Sequence, residues 1–140
     1  MYETYSRQAL PSRKYRELLG SALCVFNSNN SFIIENILRT DFKKAYSWSA
    51  LIDLESGLLL QPLKETITQN SNTQIAILFE QIINKRNRIV HSFQITYNDS
   101  QILATKDKHN RQFIITEDYL LDFIKDNELL SSKLHEFRGY

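Results

Sequence analysis

One short stretch of the chain, Lys85 to Phe93, combines residue types that could do chemistry at a phosphate. It holds a guanidinium at Arg86, an amide at Asn87 and an imidazole at His91. A guanidinium can bind two phosphate oxygens at once, and an imidazole can take or give a proton near neutral pH. On a helix, Asn87 and His91 lie one turn apart on the same face, whereas Arg86 is about 140° from His91 around the axis. Only the long side chain of Arg86 can bring both groups to one substrate.

The helix predicted around this stretch, from about Thr73 to Ser92, is the most regular segment of the chain. Its apolar arc consists of Ile75, Leu78, Phe79, Ile82, Val90 and Phe93. Arg86 falls near the middle of this arc, where an unpaired charge costs several kcal/mol. The positive charge of Arg86 must therefore be compensated by an acid within the fold, by a partner subunit or by an anionic substrate. Glu35 and Glu55 are the candidate acids, and the sequence does not choose between them.

The order Arg86-Asn87, three residues, then His91 resembles the signature of the HEPN superfamily. That signature is an Arg, a polar residue and a His five to seven positions after the Arg, on a late helix of a small helical bundle. The resemblance covers this short motif and its helical setting. It implies a homodimer in which two copies of the motif face one another across a cleft. It also implies a metal-independent endoribonuclease without a cofactor, in which Arg86, Asn87 and His91 are the catalytic residues.

The same resemblance implies RNA as substrate and, in many cases, a toxin with a cognate nucleotidyltransferase-like antitoxin, or a role in phage defence. The chemistry suits the residues because RNA carries its own nucleophile, the 2′-hydroxyl. His91 would move the proton, Arg86 would stabilise charge at the phosphate, and Asn87 would orient the imidazole or bond the phosphate. The expected product ends are a 2′,3′-cyclic phosphate and a 5′-hydroxyl. Lys85, Arg88 and Ser92 are weaker substrate-binding candidates, and Ser92 has a bond back to its own helix as the alternative.

Two other functions remain open. A non-catalytic HEPN-like dimer would use Arg86 to bind a nucleotide, RNA or a partner protein, and a purely structural helical domain would pair Arg86 with an internal Glu. The formal net charge of +1 excludes a protein that coats nucleic acid by bulk charge, so any RNA contact needs a local basic patch. The segment from Lys43 to Trp48 mixes bases with aromatics, as a surface for single strands does, although a partly buried loop anchor is the favoured interpretation of Trp48.

The length of the chain and its low content of Gly and Pro predict one mainly α domain over residues 1–140, a HEPN-like helical bundle. Only three Gly and two Pro interrupt the chain, so polar clusters are expected to divide its helices. Besides the motif helix, the predicted helices run from Pro11-Ser12 to Phe26, from about Phe32 to Arg39, and from about Gly57 to Gln69. A β-hairpin or three-stranded meander is predicted at about residues 94–116. Two C-terminal helices follow, one through Lys125 and one from about Asn127 to Phe137.

Cysteine usage and hydropathy limit the setting. Cys24 is the single cysteine, which excludes an internal disulfide and a cysteine-built zinc site, and its apolar neighbours predict a buried thiol. The three His residues have no clustered acids, so no metal site is predicted. Met1–Gln8 is too polar for a secretory signal, and no apolar run approaches the roughly 20 residues that cross a bilayer. The sequence therefore predicts a cytoplasmic protein without membrane contact.

Overall fold

The structure is a computed structural model that describes residues 5–139, in which five α-helices accompany a three-stranded antiparallel sheet. The elements in chain order are α1 (Arg13–Thr40), α2 (Trp48–Ile52), α3 (Leu60–Thr66), α4 (Gln74–Val90), β1 (Ser92–Tyr97), β2 (Ser100–Lys106), β3 (Gln112–Ile115) and α5 (Glu117–Arg138). Short 3₁₀ turns at Ser56–Leu59 and Thr68–Asn70 flank α3. The prediction of a mainly helical protein with a small sheet is confirmed.

Helix α1 begins after Ser12, whose side-chain oxygen accepts a hydrogen bond from the backbone N–H of Tyr15 (3.1 Å). It then runs unbroken to its end, so the interruption predicted at Asn27–Ser31 is wrong and the two predicted helices are one. The physical reason is Asn29, whose side chain is buried instead of capping a helix end. Its Nδ2 donates to the backbone oxygen (2.8 Å) and to Oδ1 (3.0 Å) of Asn127 in α5.

Helix α5 is also longer than predicted. It begins at the predicted cap, where Oγ1 of Thr116 accepts a hydrogen bond from the N–H of Tyr119 (3.0 Å), and it continues unbroken. The two predicted C-terminal helices are therefore one helix. Asn127, predicted to start the second of them, is buried inside α5. Its Nδ2 donates to the carbonyl of Phe123 one turn earlier (2.9 Å), and its Oδ1 accepts from Asn29.

The middle of the chain is less regular than predicted. In place of one helix from Gly57 to Gln69, the chain forms α3 with a 3₁₀ turn on either side. Pro62 lies in the first turn of α3, where the missing N–H breaks no intrahelical hydrogen bond. Trp48, predicted to be a partly buried loop anchor, is instead an exposed residue at the start of α2.

The three strands form the predicted meander, in the order β1-β2-β3. Asn98 and Asp99 join β1 to β2 with positive φ angles (50° and 61°), as a tight two-residue hairpin requires. Tyr15 of α1 connects the sheet to the helices. Its hydroxyl donates to the backbone oxygen of Ile115 (2.6 Å) and accepts from the N–H of Leu103 (3.4 Å). Because this hydroxyl is buried, the pKa of Tyr15 is raised above its usual value.

Phe26 of α1 lies where the three longest helices meet. Its ring stacks with Phe79 of α4, at 6.4 Å between ring centroids, and with Phe123 of α5, at 6.2 Å. All three rings are buried. Such aromatic pairs contribute roughly 0.5–1.5 kcal/mol each beyond the burial of their area. The junction therefore fixes α4 against both α1 and α5.

The surface departs from the prediction at Cys24, which is exposed. Residues two apart on a helix differ by about 200° around its axis, so the buried Phe26 and Cys24 point to opposite sides of α1. The prediction of a buried thiol is therefore wrong, because apolar neighbours in sequence do not share its face. Within residues 5–139, no helix has both the length and the apolar character needed to span a bilayer.

The contact between Asn29 and Asn127 predicts a specific loss of stability. Asn29→Ala leaves the buried Oδ1 of Asn127 without its donor, which should lower the free energy of unfolding by about 1–2 kcal/mol. The matched control is Asn27→Ala, an exposed position of the same helix, which should change that free energy by less than about 0.5 kcal/mol. Urea unfolding followed by circular dichroism measures both. Equal effects of the two substitutions would contradict a structural role for the buried amide.

Candidate functional site

Arg86 lies on the face of α4 that contacts α1. The buried residues that precede it in α4 are Ile75, Ala76, Phe79, Ile82 and Ile83. Arg86 continues this face, and its Cζ lies 5.1 Å from the centroid of the Phe26 ring. The negative face of an aromatic ring attracts a guanidinium by about 0.5–2 kcal/mol, depending on how far the cation is desolvated. The half-buried cation therefore belongs to the helix junction and not to the bulk solvent.

The positive charge of Arg86 is only partly compensated by other described residues of the chain. Burial lowers the pKa of Arg86, and the negative charge of Glu55 opposes that shift. Glu35, the other acid considered as a partner, lies instead near Arg138, with 3.7 Å between its Oε2 and Nη1 of Arg138. The buried Nε of Arg86 has no hydrogen-bond partner among residues 5–139. This nitrogen is shielded from solvent, so an anion at Arg86 would bind through the other nitrogens of the guanidinium.

His91 directly follows α4 and is its C-terminal cap residue. Its backbone N–H donates to the carbonyl of Asn87 (2.9 Å), and its backbone oxygen accepts from Oγ1 of Thr105 in β2 (3.3 Å). These bonds fix the backbone between helix and sheet, while the residue itself is exposed. Asn87, one turn earlier, is half-buried. His91 is therefore an exposed residue on a backbone that is fixed between helix and sheet.

Arg86 and His91 differ in their surroundings at the end of α4. The guanidinium of Arg86 extends towards Phe26 of α1, whereas His91 is exposed and its backbone contacts β2. Asn87 and His91 are linked by the backbone hydrogen bond at the end of α4, and their shared face stays a prediction from their spacing.

The three weaker candidates for substrate binding are held by hydrogen bonds within the chain. Nζ of Lys85 lies 2.6 Å from Oδ2 of Asp126 in α5. Arg88 donates from Nη1 to the backbone oxygen of Lys106 at the end of β2. Oγ of Ser92 donates to a carbonyl of the last turn of α4 (2.7 Å), which is the alternative expected for it. These bonds attach the motif to its neighbours, and a role of the three residues in substrate binding stays a prediction.

The apolar arc of α4 becomes uncovered at its C-terminal end. Phe79 and Ile82 are buried, but Val90, which follows Arg86 by one turn on the same face, is 48% exposed. Phe93 in β1 is 43% exposed. Ile89, in the same last turn, is buried, so Val90 is the apolar residue of that turn which is exposed. Arg86 lies at the boundary between the covered and the uncovered part.

Two clefts of the protein are lined by residues outside the motif. One, of about 570 Å³, lies between the end of α1 and α3, and the other, of about 940 Å³, lies between the segment before α1 and the β1–β2 hairpin. Neither is lined by a residue between 85 and 93. The sequence did not predict the smaller cleft, although the bases and aromatics at Lys43–Trp48 are its signal. Within residues 5–139, no three His, Cys, Asp or Glu residues are grouped so that they could hold a metal ion.

No protein-family model matches the sequence, and neither a curated protein nor a solved structure matches it. The function is therefore inferred from the chain's own residues.

The surroundings of Arg86 predict that this residue is not required for stability. A desolvated cation with a buried, unpartnered Nε costs free energy, which the ring of Phe26 and the charge of Glu55 only partly offset. Arg86→Met removes the charge and keeps an unbranched, apolar side chain. We expect the free energy of unfolding in urea to stay unchanged or to rise by up to about 1 kcal/mol.

The comparison variant is Lys85→Met on the same helix, which removes the contact with Asp126 and should lower stability by about 0.5–1 kcal/mol. A loss of more than about 1 kcal/mol in Arg86→Met would show instead that the guanidinium is a structural residue.

Proposed function

We propose that this protein is a metal-independent endoribonuclease of the HEPN type, which acts as a homodimer through Arg86, Asn87 and His91. The observation that carries the proposal is the state of Arg86, a half-buried guanidinium over Phe26 whose Nε has no partner among the described residues. A cation kept in this position at a cost in free energy is typical of a binding group for an anion. His91 follows on the same helix, exposed and fixed by its backbone. The resemblance of the motif to the superfamily signature supplies the reaction.

The homodimer is the part of the proposal that the resemblance supplies. The guanidinium of Arg86 packs on Phe26 while His91 is exposed, and in the proposed dimer a second copy would help to bring a guanidinium and an imidazole to one phosphate. The uncovered end of the α4 arc, at Val90, adjoins Arg86 and offers the apolar surface for that contact. Two copies of α4 that meet there would place two guanidiniums and two imidazoles around one cleft.

The reaction needs one proton acceptor and one proton donor. In the proposed dimer, the His91 of one subunit removes the proton of the 2′-hydroxyl, and the 2′-oxygen forms a bond to phosphorus while the bond to the 5′-oxygen breaks. The His91 of the second subunit gives a proton to the leaving 5′-oxygen. Arg86 binds the non-bridging oxygens and stabilises the charge that builds on them. Asn87 orients the imidazole, and the products carry a 2′,3′-cyclic phosphate and a 5′-hydroxyl.

The biological setting belongs to the same proposal and comes from the resemblance alone. It is a toxin restrained by a nucleotidyltransferase-like antitoxin, or a nuclease used in defence against phage, acting in the cytoplasm.

A second candidate function is a non-catalytic HEPN-like dimer that binds a nucleotide, RNA or a partner protein. The observation that favours it is the position of Arg86, whose guanidinium packs on Phe26 in the helix junction while His91 is exposed. In that case Arg86 would bind an anion without turnover.

Cleavage of RNA in excess EDTA tests the first function. We expect the wild-type protein to cut single-stranded RNA and to leave cyclic phosphate ends, because no metal takes part. His91→Ala should lower the rate by at least about 100-fold through loss of the proton-transfer group, and Arg86→Ala by a similar factor through loss of charge stabilisation. The matched control is Arg111→Ala, which removes an exposed guanidinium outside the motif and should lower the rate by less than about tenfold.

Equal cleavage by the wild type and both variants would point to a contaminating nuclease and would exclude the proposed site. An absence of cleavage combined with RNA binding that requires Arg86 would establish the second function instead.

The dimer is tested separately through Val90. A carboxylate at this half-exposed position should leave the monomer folded but prevent apolar contact, so Val90→Asp is expected to sediment as a monomer and to lose cleavage. Ile77→Asp is the control, because Ile77 is similarly exposed (53%) but lies on another face of the same helix. Analytical ultracentrifugation of both variants at equal concentration measures the difference. A wild-type monomer that cleaves RNA at full rate would contradict the composite site.

A further inference from the structure

The smaller cleft, of about 570 Å³, is formed by residues from two stretches of the chain, 40–46 and 65–70. The end of α1 and the following loop form one wall, and α3 with the 3₁₀ turn after it forms the other. The lining residues are Thr40, Asp41, Phe42, Lys43, Ala45, Tyr46, Glu65, Thr66, Gln69 and Asn70. Its volume falls within the range of roughly 300–1,000 Å³ that pockets for small molecules and single nucleotides occupy.

The loop from Asp41 to Ser47 has a defined shape. The carboxylate of Asp41 accepts hydrogen bonds from the backbone N–H groups of Ala45 (3.1 Å) and Tyr46 (2.8 Å), and its carbonyl accepts from the N–H of Lys44 (3.1 Å). Lys44 adopts a positive φ of 52°, which closes the turn. The loop therefore presents its side chains from a fixed backbone, so little ordering entropy is lost when a ligand binds.

This ordered loop exposes a large aromatic side chain. Phe42 is 76% exposed, the highest value among the exposed large hydrophobic side chains, and it lines the cleft. Trp48, at the start of α2, is 45% exposed. An aromatic ring held in water on a fixed backbone gains free energy when a flat apolar group covers it. A nucleobase is such a group, and stacking of bases on exposed aromatics is the usual way in which proteins bind single strands.

More bases than acids lie around the cleft when sequence neighbours of its lining residues are counted, and Lys43 is the base that lines it. Four cations, Arg39, Lys43, Lys44 and Lys64, either line the cleft or are next in sequence to a residue that does. Two acids line the cleft, and both accept hydrogen bonds from other groups of the protein. Asp41 accepts the two loop N–H groups, and Glu65 accepts hydrogen bonds from the hydroxyl of Tyr46 and from Nε2 of Gln61 (2.9 Å). The bases therefore outnumber the acids beside an exposed aromatic ring.

We propose that this cleft binds single-stranded RNA, with a base stacked on Phe42 and the adjoining phosphate beside Lys43. The choice of RNA as the nucleic acid rests on the proposed nuclease function, while the stacking and the charge are properties of the loop. Phe26, beneath Arg86, and Thr40, at the cleft, are fourteen residues apart on α1, which corresponds to roughly 20 Å along the helix. The cleft therefore holds a part of the strand several nucleotides from the bond that is cut, and selects unpaired RNA because only an unpaired base can stack there.

Fluorescence anisotropy with a fluorescein-labelled 2′-O-methyl oligouridine tests the proposal without cleavage, because this strand lacks the free 2′-hydroxyl. Phe42→Ala should weaken binding about tenfold and leave its salt dependence unchanged. Lys43→Ala should reduce the slope of log Kd against log salt by roughly 0.7, the value expected for one lost phosphate contact on a single strand. A duplex of the same length should bind the wild type and Phe42→Ala alike.

Leu129→Ala and Lys108→Ala are the matched controls, because they remove an exposed apolar side chain and an exposed cation at sites remote from the cleft in sequence. The cleft proposal fails if the wild type does not bind the oligonucleotide, or if Phe42→Ala binds as tightly as Leu129→Ala does. That second result would show that the ring of Phe42 takes no part in binding the strand.

The two proposals fail in different ways. Binding that depends on Phe42, in a protein that never cleaves RNA, would support the cleft and overturn the nuclease. Cleavage that depends on His91, with binding indifferent to Phe42, would support the nuclease and overturn the cleft.

Discussion

The packing of Phe26 against Phe79 and Phe123 is the contact on which the rest of the described structure depends. One ring from each of α1, α4 and α5 meets there, so the three long helices share a single apolar junction. The guanidinium of Arg86 packs against the same ring of Phe26. Because closely packed rings leave little freedom to the helices that hold them, the junction decides where the last turn of α4 lies. It thereby sets both the burial of Arg86 and the exposure of His91 at the helix end.

A second constraint fixes how α1 and α5 lie along one another. The two helices are 28 and 22 residues long, and apolar packing alone would allow one to slide past the other by a turn. The buried amides of Asn29 and Asn127 remove this freedom, since any other register would leave polar atoms without partners in the core. The aromatic rings therefore contribute apolar packing, whereas the polar pair contributes to stability and also selects the register of the two helices.

The proposed chemistry and the proposed recognition occupy separate parts of α1 and its neighbours. Arg86 is placed by the middle of α1, whereas the loop that carries Phe42 follows its end. A rigid helix between the two keeps their distance constant, as a nuclease that measures a position along a single strand requires. The near-zero net charge agrees with this division, because local patches and not the whole surface would then attract RNA.

The sequence by itself determined the secondary structure wherever periodicity was strong. The spacing of apolar residues predicted α4 to within two residues at each end, and the β-branched runs with Asn98-Asp99 predicted the meander. The tertiary structure decided the structural role of the polar residues. Asn29 and Asn127 read as helix breaks because an amide caps helix ends in isolation, yet each meets a partner 98 residues away that only the fold supplies. Likewise, the sequence put Arg86 on an apolar arc, but only the fold shows that the arc is covered by Phe26 and uncovered at Val90, since a helical pattern defines a face and not what lies against it.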